Sequence, residues 1–337
     1  MPLVSIITPV YNAAQFLPEM LASVRAQTLT DWEHLLVDDR STDSSLEILG
    51  MAAAADPRIR RFRTAHNSGP SAARNLALKA ARGRFIAYLD ADDVWLPLKL
   101  ARSVQWMTTY GYSFVYHDYR HISYDGSSIG EVVRGPETLN LRTLHTRRGT
   151  GGCMSMVFDR EQIHDLRFPE ADRAKNEDFC AWLRIVKQGH IGHRLPCELG
   201  RYRLSTDSRS GNKLANAREI WKSYRTASGL SLLRAFSWWT QYAWNTYWLY
   251  RNARPCYDRS TGGVPKTVAI EPSLANLPSS AHASNARPAL QSVGLAFKSQ
   301  NPPLRPAMHT APDFMRSLCF HLLLKRSAHS IGSVHYE

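Results

Sequence analysis

The 337 residues carry 42 Lys and Arg against 29 Asp and Glu, a formal charge of +13, and 44% of them are hydrophobic. That is enough apolar material for one large domain or two small ones, and no run of about 18 uncharged apolar residues supports a spanning helix. Five cysteines at positions 153, 180, 197, 256 and 319 form no CxxC pair, so reduced thiols in a cytosolic compartment are expected. The basic balance suits an anionic substrate or an anionic membrane surface. Nucleic acid is disfavoured as a partner, because no basic helix, zinc-finger spacing or RNP-like aromatic motif accompanies the charge.

Pro2-Leu3-Val4-Ser5-Ile6-Ile7 follows Met1 without a basic residue, which reads as the start of a strand rather than a signal peptide. Val4 to Val10 is a buried strand, then Tyr11-Asn12, then a helix with Phe16, Leu17, Met20, Leu21 and Val24 on one face. A second strand from Trp32 to Val37 ends in Asp38-Asp39, and Ser41-Thr42-Asp43 caps a helix up to the Asp56-Pro57 break. Ile59 to Arg63 is an edge-like third strand. Asn67-Ser68-Gly69-Pro70 turns into a helix carrying Ala72, Ala73, Leu76, Ala77 and Ala80, stopped near Gly83. A fourth strand, Phe85 to Leu89, runs out into Asp90-Ala91-Asp92-Asp93, and Pro97 falls in the first turn of the helix expected next. Strand and helix alternate with short connections, so a parallel sheet with helices on both faces is expected, and ligands of such sheets lie beyond the carboxyl ends of the strands.

The second half is less regular. Tyr112 to Tyr124 reads as a hairpin closed by Asp125-Gly126, residues 127–150 as a mobile loop, and Gly152 to Phe158 as a strand. Asn176 to Lys187 is an amphipathic helix with Glu177 and Asp178 in its first turn, where the helix dipole favours acids. Five of the nine tryptophans fall between Trp221 and Trp248, in one or two aromatic helices that either lie in a bilayer interface or pack on the catalytic domain. Residues 254–337 hold half of the chain's 18 prolines and no sustained periodicity, the signature of a poorly ordered tail with one short helix at Phe314 to Leu324.

Asp90 and Asp92 carry the sharpest chemistry. In a strand leaving the sheet, residues i and i+2 point the same way, so the pair aims two hard oxygen ligands at one point, a set that suits Mg2+ or Mn2+ with a diphosphate. By itself the Asp-x-Asp pattern reads equally well as solvated acids, one of them capping the next helix.

Taken in order, Val4 to Asn12, Val37-Asp38-Asp39-Arg40-Ser41-Thr42-Asp43, Asn67-Ser68-Gly69 with Ala73-Arg74-Asn75, Leu89-Asp90-Ala91-Asp92-Asp93 and Glu177-Asp178 resemble the family-2 inverting glycosyltransferases of the GT-A fold. The resemblance covers roughly residues 3 to 210, and the region from Trp182 to Asn245 is more narrowly similar to enzymes of bacterial surface-polysaccharide assembly, such as those for teichuronic acid. It implies an α/β fold with a Rossmann-like nucleotide-binding sheet, a smaller acceptor-side part and C-terminal helices. The expected organisation is 1–210 for the catalytic domain (1–110 nucleotide-sugar half, 111–210 acceptor half), 211–253 for the aromatic helical segment, and 254–337 for the tail. It implies a nucleotide-sugar donor, a polysaccharide or lipid-linked saccharide acceptor, and Mn2+ or Mg2+ on Asp90 and Asp92. Pro9, Tyr11, Asp39, Arg74 and Asp90 would form the nucleotide site: Tyr11 stacking on the base, Asp39 accepting the N3–H of uracil (hence UDP), Arg74 near the diphosphate or bracing the carboxylates. Asp38 is the alternative capping acid. An inverting transfer needs one carboxylate to take the acceptor's proton; Asp178 is assigned that role, with Glu177 the alternate and a dipole-favoured acid the plain alternative.

No third metal ligand stands out; His117, His121 and His193 belong to no motif. Arg203 and Arg209 are placed as a lid over the diphosphate from charge and position alone. The competing classes are a nucleotidyltransferase, weakened by the lack of a basic phosphate loop after strand one, and a membrane-associated nucleotide-sugar-binding protein without turnover. A dinucleotide oxidoreductase lacks its GxGxxG. The expected location is cytoplasmic, with peripheral contact at the inner face of the plasma membrane.

Overall fold

The computed structural model describes residues 1–146, 152–169, 177–204, 221, 224 and 228–252, with side chains to 245. The tail expected at 254–337, the boundary expected at 210, and Arg209 lie outside the described residues.

Seven elements alternate at the start: β1 (Val4–Val10), α1 (Leu17–Arg25), β2 (Trp32–Asp38), α2 (Ser45–Ala55), β3 (Ile59–Arg63), α3 (Pro70–Ala80) and β4 (Phe85–Tyr88). The strands pair in parallel in the order β3-β2-β1-β4, with Val4 opposite both Trp32 and Phe85. Successive side chains of each strand feed two different cores, as period-two geometry requires. Ile6, Leu36 and Ala87 join Leu17, Met20 and Val24 of α1 on one face; Ile7, Leu35, Ile86 and Tyr88 join Ala73 and Ala77 of α3 on the other. Each such aliphatic side chain, fully buried, contributes about 1.5–3 kcal/mol relative to exposure. The turn into β4 passes so close to β1 that a Cβ on Gly83 would lie 2.6 Å from the Ser5 nitrogen, so no larger residue fits there.

The same sheet continues beyond β4. β5 (Val94–Trp95), α4 (Lys99–Tyr110), β6 (Phe114–Ile122), β7 (Ile129–Val133), β8 (Thr138–Leu139), α5 (Leu141–Thr146), β9 (Met156–Asp159), α6 (Glu177–Lys187) and β10 (Gly192–Arg203) extend it in the order β4-β9-β6-β10-β5. β9 is antiparallel to both β4 and β6, β10 runs parallel to β6, and β7 and β8 pair with β6 and β10. The last described helix, α7 (Leu232–Asn252), is one continuous element of 21 residues.

Several expectations need correction. The hairpin closed by Asp125-Gly126 is present, but Tyr112 to Tyr124 holds only its first strand, β6, and the second, β7, lies beyond the turn. The segment expected as a mobile loop at 127–150 contains β7, β8 and α5, elements of two to six residues whose apolar pattern is too short to show a period. Pro97 precedes α4 by two residues instead of opening it, because β5 intervenes. β10 was not expected at all. Its parallel pairing to β6 slips between Leu195 and Glu198 and again before Gly200, and these irregularities erase the alternation that marks a strand.

Helix α7 packs against α5. Asn245 Nδ2 donates to the Thr146 carbonyl at 2.5 Å, the Trp238 ring lies 5.1 Å from His145, and Ala235 and Trp239 are buried. Its outer side keeps Leu233 (86% exposed) and Phe236 in solvent.

Candidate active site

β1, β2 and β4 end side by side, and the chain leaves β1 toward β2 on one side while β4 leads to the other half of the sheet. A cleft of about 580 Å3 opens at that switch point, where crevices form in sheets of this kind. Pro9, Tyr11, Asp39, Arg74, Asp90 and Asp92, picked from widely separated motifs, all line it.

The loop after β1 forms one wall. Asn12 adopts a left-handed conformation (φ +49), which asparagine tolerates better than most residues, and its Oδ1 accepts the Thr42 N–H at 2.8 Å. The Asn12, Ala13 and Ala14 amides donate to Ser41 Oγ, Ser45 Oγ and Asp43 Oδ2 at 2.9–3.0 Å. Loop and α2 start are thereby pinned together, and the Tyr11 ring is left half exposed at the cleft mouth.

The two acids after β2 divide their roles. Asp38 is fully buried; it accepts the Ser41 amide at 3.2 Å and the Arg63 Nε–H at 2.9 Å, so it is the acid that holds the turn. Asp39 faces the cleft. Its Oδ1 accepts Thr64 Oγ1–H at 2.7 Å and the Ser68 amide at 2.9 Å, and its Oδ2 accepts the Gly69 amide at 2.7 Å. Gly69 sits at φ +83, a conformation that costs a residue with a Cβ, and this turns its N–H onto the carboxylate. A carboxylate offers about four acceptor positions, so roughly one remains for a ligand.

Opposite, the buried Arg74 spans two acids: Nη2 donates to Asp90 Oδ1 at 2.6 Å, and Nη1 lies 3.6 Å from Glu177 Oε1. Its guanidinium stands 5.0 Å over the Phe168 ring. Arg74 therefore braces the carboxylates across the two halves of the sheet, with Asp90 still 28% exposed. Asp92 is partly buried, and burial together with the Asp90 charge pushes its carboxyl up to about 6. Two hard carboxylates that repel one another on a cleft wall are a donor set suited to a divalent cation, which would relieve that repulsion. Among the described residues no group of three or more His, Cys, Asp or Glu is arranged to hold a metal. His117 is buried with Nδ1 on the Asp118 carbonyl, and His193 stacks on Tyr112 at 3.7 Å, which accounts for both structurally.

At the start of α6 the cleft wall is Glu177, while Asp178 is not among the lining residues. Asp178 remains in the same electrostatic neighbourhood: burial, then Glu177, raises its carboxyl above the ordinary range, and Arg74 opposes them. Arg203 does not form a lid. It is 4% exposed, with its guanidinium bonded inside the protein. Ala13, Ser71 and Pro169 also line the cleft without any sequence signal, Phe16 showed only as part of a helix face, and Asn67 and Ser68 only as a motif.

The glycosyl transferase family 2 model matches residues 5–166. The chain is 34% identical over 244 residues to the putative teichuronic acid biosynthesis glycosyltransferase TuaG of Bacillus subtilis, covering 72% of this chain and 96% of that protein. It is 36% identical over 222 residues to the Escherichia coli UDP-Glc:alpha-D-GlcNAc-diphosphoundecaprenol beta-1,3-glucosyltransferase WfgD, covering 65% and 84%. Among solved structures, Staphylococcus aureus TarS 1–349 in complex with UDP aligns with a TM-score of 0.53 at 21% identity, over 72% and 71% of the two chains. The Pyrobaculum calidifontis mannosyltransferase PcManGT, in complex with GDP-Man and Mn2+, aligns with a TM-score of 0.54 at 18% identity, over 74% and 76%. The alternating half-sheet, its extension beyond β4 and the length of the shared sequence agree: this chain belongs to the family 2 glycosyltransferases and has their GT-A fold.

Proposed function

We propose that the cleft binds the nucleotide diphosphate of a UDP-sugar and that the enzyme moves the sugar, with inversion, to a hydroxyl of a surface-polysaccharide or lipid-linked saccharide acceptor. The observation that carries this reading is the convergence of Tyr11, Asp39, Arg74, Asp90 and Asp92 on one cleft at the sheet's switch point. The names of the relatives, teichuronic acid synthesis and a diphosphoundecaprenol glucosyltransferase, support the acceptor class.

In this reading Tyr11 offers its exposed ring to the base, and the remaining acceptor position of Asp39 takes the uracil N3–H, a donor that cytosine lacks. Asp90 and Asp92 would hold Mn2+ or Mg2+, which supplies Lewis-acid neutralisation of the leaving diphosphate. Arg74 keeps Asp90 and Glu177 at fixed separation. Asp178 takes the acceptor hydroxyl's proton from the face opposite the leaving group, and burial raises its basicity for that task; Glu177, on the wall itself, is the alternate. Among the described residues no helix is long and apolar enough to cross a membrane. The exposed Leu233 and Phe236 on α7 and the +13 charge support peripheral contact with an anionic inner membrane face, where a lipid-linked acceptor would be met.

A thermal-shift panel of nucleotide-sugars with Mn2+ tests the donor class: UDP-sugars should stabilise the protein more than GDP- or CMP-sugars. Equal shifts, or a preference for GDP-sugars, would remove the Asp39 argument. Flotation with anionic liposomes at low salt tests the membrane contact, and protein remaining wholly in the dense fraction would refute it.

A further inference from the structure

We infer that Arg203, at the end of β10, is a positioning residue that sets the carboxylate loop Asp90–Asp93 for cation binding, and that it acts without touching the donor. The inference rests on the metal reading above. Every face of this side chain is engaged. Its Nε–H donates to the Asp92 carbonyl at 2.8 Å, and its backbone N–H donates to Asp93 Oδ1 at 2.9 Å. Nη1 donates to the Tyr124 carbonyl at 3.0 Å and leans on that of Ser123 at 3.4 Å; Nη2 pairs with Glu19 of α1; and the guanidinium stands 5.0 Å over the Phe16 ring.

Three separate pieces of chain meet on this one fork. They are the loop that carries both candidate metal ligands, the β6–β7 turn, and the first turn of α1, whose neighbour Phe16 lines the cleft. The β6–β7 turn is held from the other side as well: Tyr124 meets Phe16 edge-on at 5.2 Å, and Gln15 Nε2 donates to its hydroxyl. The Asp92 carbonyl carbon is bonded to the Cα that bears the Asp92 carboxylate, so a change in the Arg203 hydrogen bond is transmitted to the direction of that carboxylate over a very short path. A planar fork of five donors in fixed directions makes these bonds at once; an ammonium, a point charge on a flexible stem, cannot. Arg203 is 4% exposed and is not among the cleft-lining residues, so it has no route to a bound diphosphate.

The test separates the positioning role from a donor contact. UDP binding is measured by calorimetry with Mn2+ and with EDTA, and free Mn2+ by electron paramagnetic resonance at saturating UDP, for the wild type, Arg203→Lys and Glu19→Gln. The expected result is a Mn2+ affinity lowered about tenfold in Arg203→Lys and about two- to threefold in Glu19→Gln, which keeps the arginine but loosens it. Metal-free UDP affinity should stay within twofold in both. Wild-type Mn2+ affinity in Arg203→Lys would overturn the inference, and so would a loss of UDP affinity that is equal with and without metal. Should Arg203→Lys fail to fold, Glu19→Gln decides: unchanged Mn2+ affinity there counts against the proposal. A wild type that binds UDP yet takes up no Mn2+ would defeat the metal reading itself, a different outcome from a variant that matches the wild type.

Discussion

Replacing Asp39 by Asn leaves the shape of the site and changes its hydrogen-bond polarity. The wild-type carboxylate accepts from Thr64 Oγ1 and Ser68 N through Oδ1 and from Gly69 N through Oδ2, at 2.7–2.9 Å. An asparagine that keeps its oxygen toward Thr64 and Ser68 turns its NH2 against the Gly69 N–H. One charge-assisted bond, worth about 1.5–3 kcal/mol, is then lost, and the other two fall from charged to neutral strength. A net cost of about 2–4 kcal/mol follows, and a domain of this size should melt about 5–15 °C lower. The polarity change also reaches the ligand. The free acceptor position on Oδ2 becomes a donor, which opposes the uracil N3–H and matches the cytosine N3 lone pair. UDP affinity should fall about 10²-fold while the UDP-to-CDP ratio drops at least as far, the kind of discrimination that a mismatched buried polar group produces. Calorimetric titration of both nucleotides, with a melting curve of the apoprotein, checks both statements. An Asp39→Asn protein with an unchanged melting temperature and an unchanged UDP-to-CDP ratio would refute the assignment of Asp39 to base recognition.

Other outcomes follow from the same geometry. Asp178→Asn should lower turnover about 10²–10⁴-fold with UDP binding retained, and Glu177→Gln should lower it less; steady-state transfer assays with the pair decide which acid is the base, and near-normal turnover of Asp178→Asn removes that residue from the chemistry. Lys99 is fully buried, its amine 3.7 Å above the Trp95 ring and without a hydrogen-bond partner among the described residues, and burial pushes its pKa well below the ordinary lysine range. The folded protein holds this proton less tightly than the unfolded chain does, so wild-type stability should rise with pH until about 10, where the unfolded lysine also loses its proton. Lys99→Met should be stabilised by about 1–3 kcal/mol at pH 7 and lose that slope; urea denaturation at pH 7 and pH 9.5 measures both, and a destabilised variant with the slope intact would contradict the argument. Gly83→Ala, which places a methyl 2.6 Å from backbone of β1, should cost roughly 1–3 kcal/mol and show it as a lower denaturation midpoint at unchanged slope.

The first half of the sheet was legible because its signals are local. Buried parallel strands are continuous apolar runs, their helices carry a clear face, and Asp38, Asp39, Asp90 and Asp92 stand at strand ends where the pattern breaks; position left Asp38 and Asp39 alike, and the family resemblance singled out Asp39. The part beyond β4 resisted for the opposite reason. β10 follows β6 through two register slips, β8 is two residues long, and α5 is six, so tertiary pairing and not local pattern decides each of them. Arg203 shows the limit most plainly. Charge and position suggest a lid over the diphosphate, whereas the chain buries it and gives it partners 79 to 184 residues away in sequence, among them Asp92, Tyr124 and Glu19. Such non-local satisfaction of a buried charge leaves no periodic trace. The choice between Glu177 and Asp178 was equally beyond a sequence reading, since both occupy the same first turn and only the packing of α6 decides which one faces the cleft.

The central claim is that Asp90 and Asp92 hold a divalent cation against the donor's diphosphate. Titrating Mn2+ into the protein saturated with UDP, for the wild type and for Asp92→Asn, tests it most directly. The account predicts one bound Mn2+ per chain in the wild type and at least a tenfold weaker site in Asp92→Asn; equal Mn2+ affinity in the two proteins, with both still binding UDP, would contradict it.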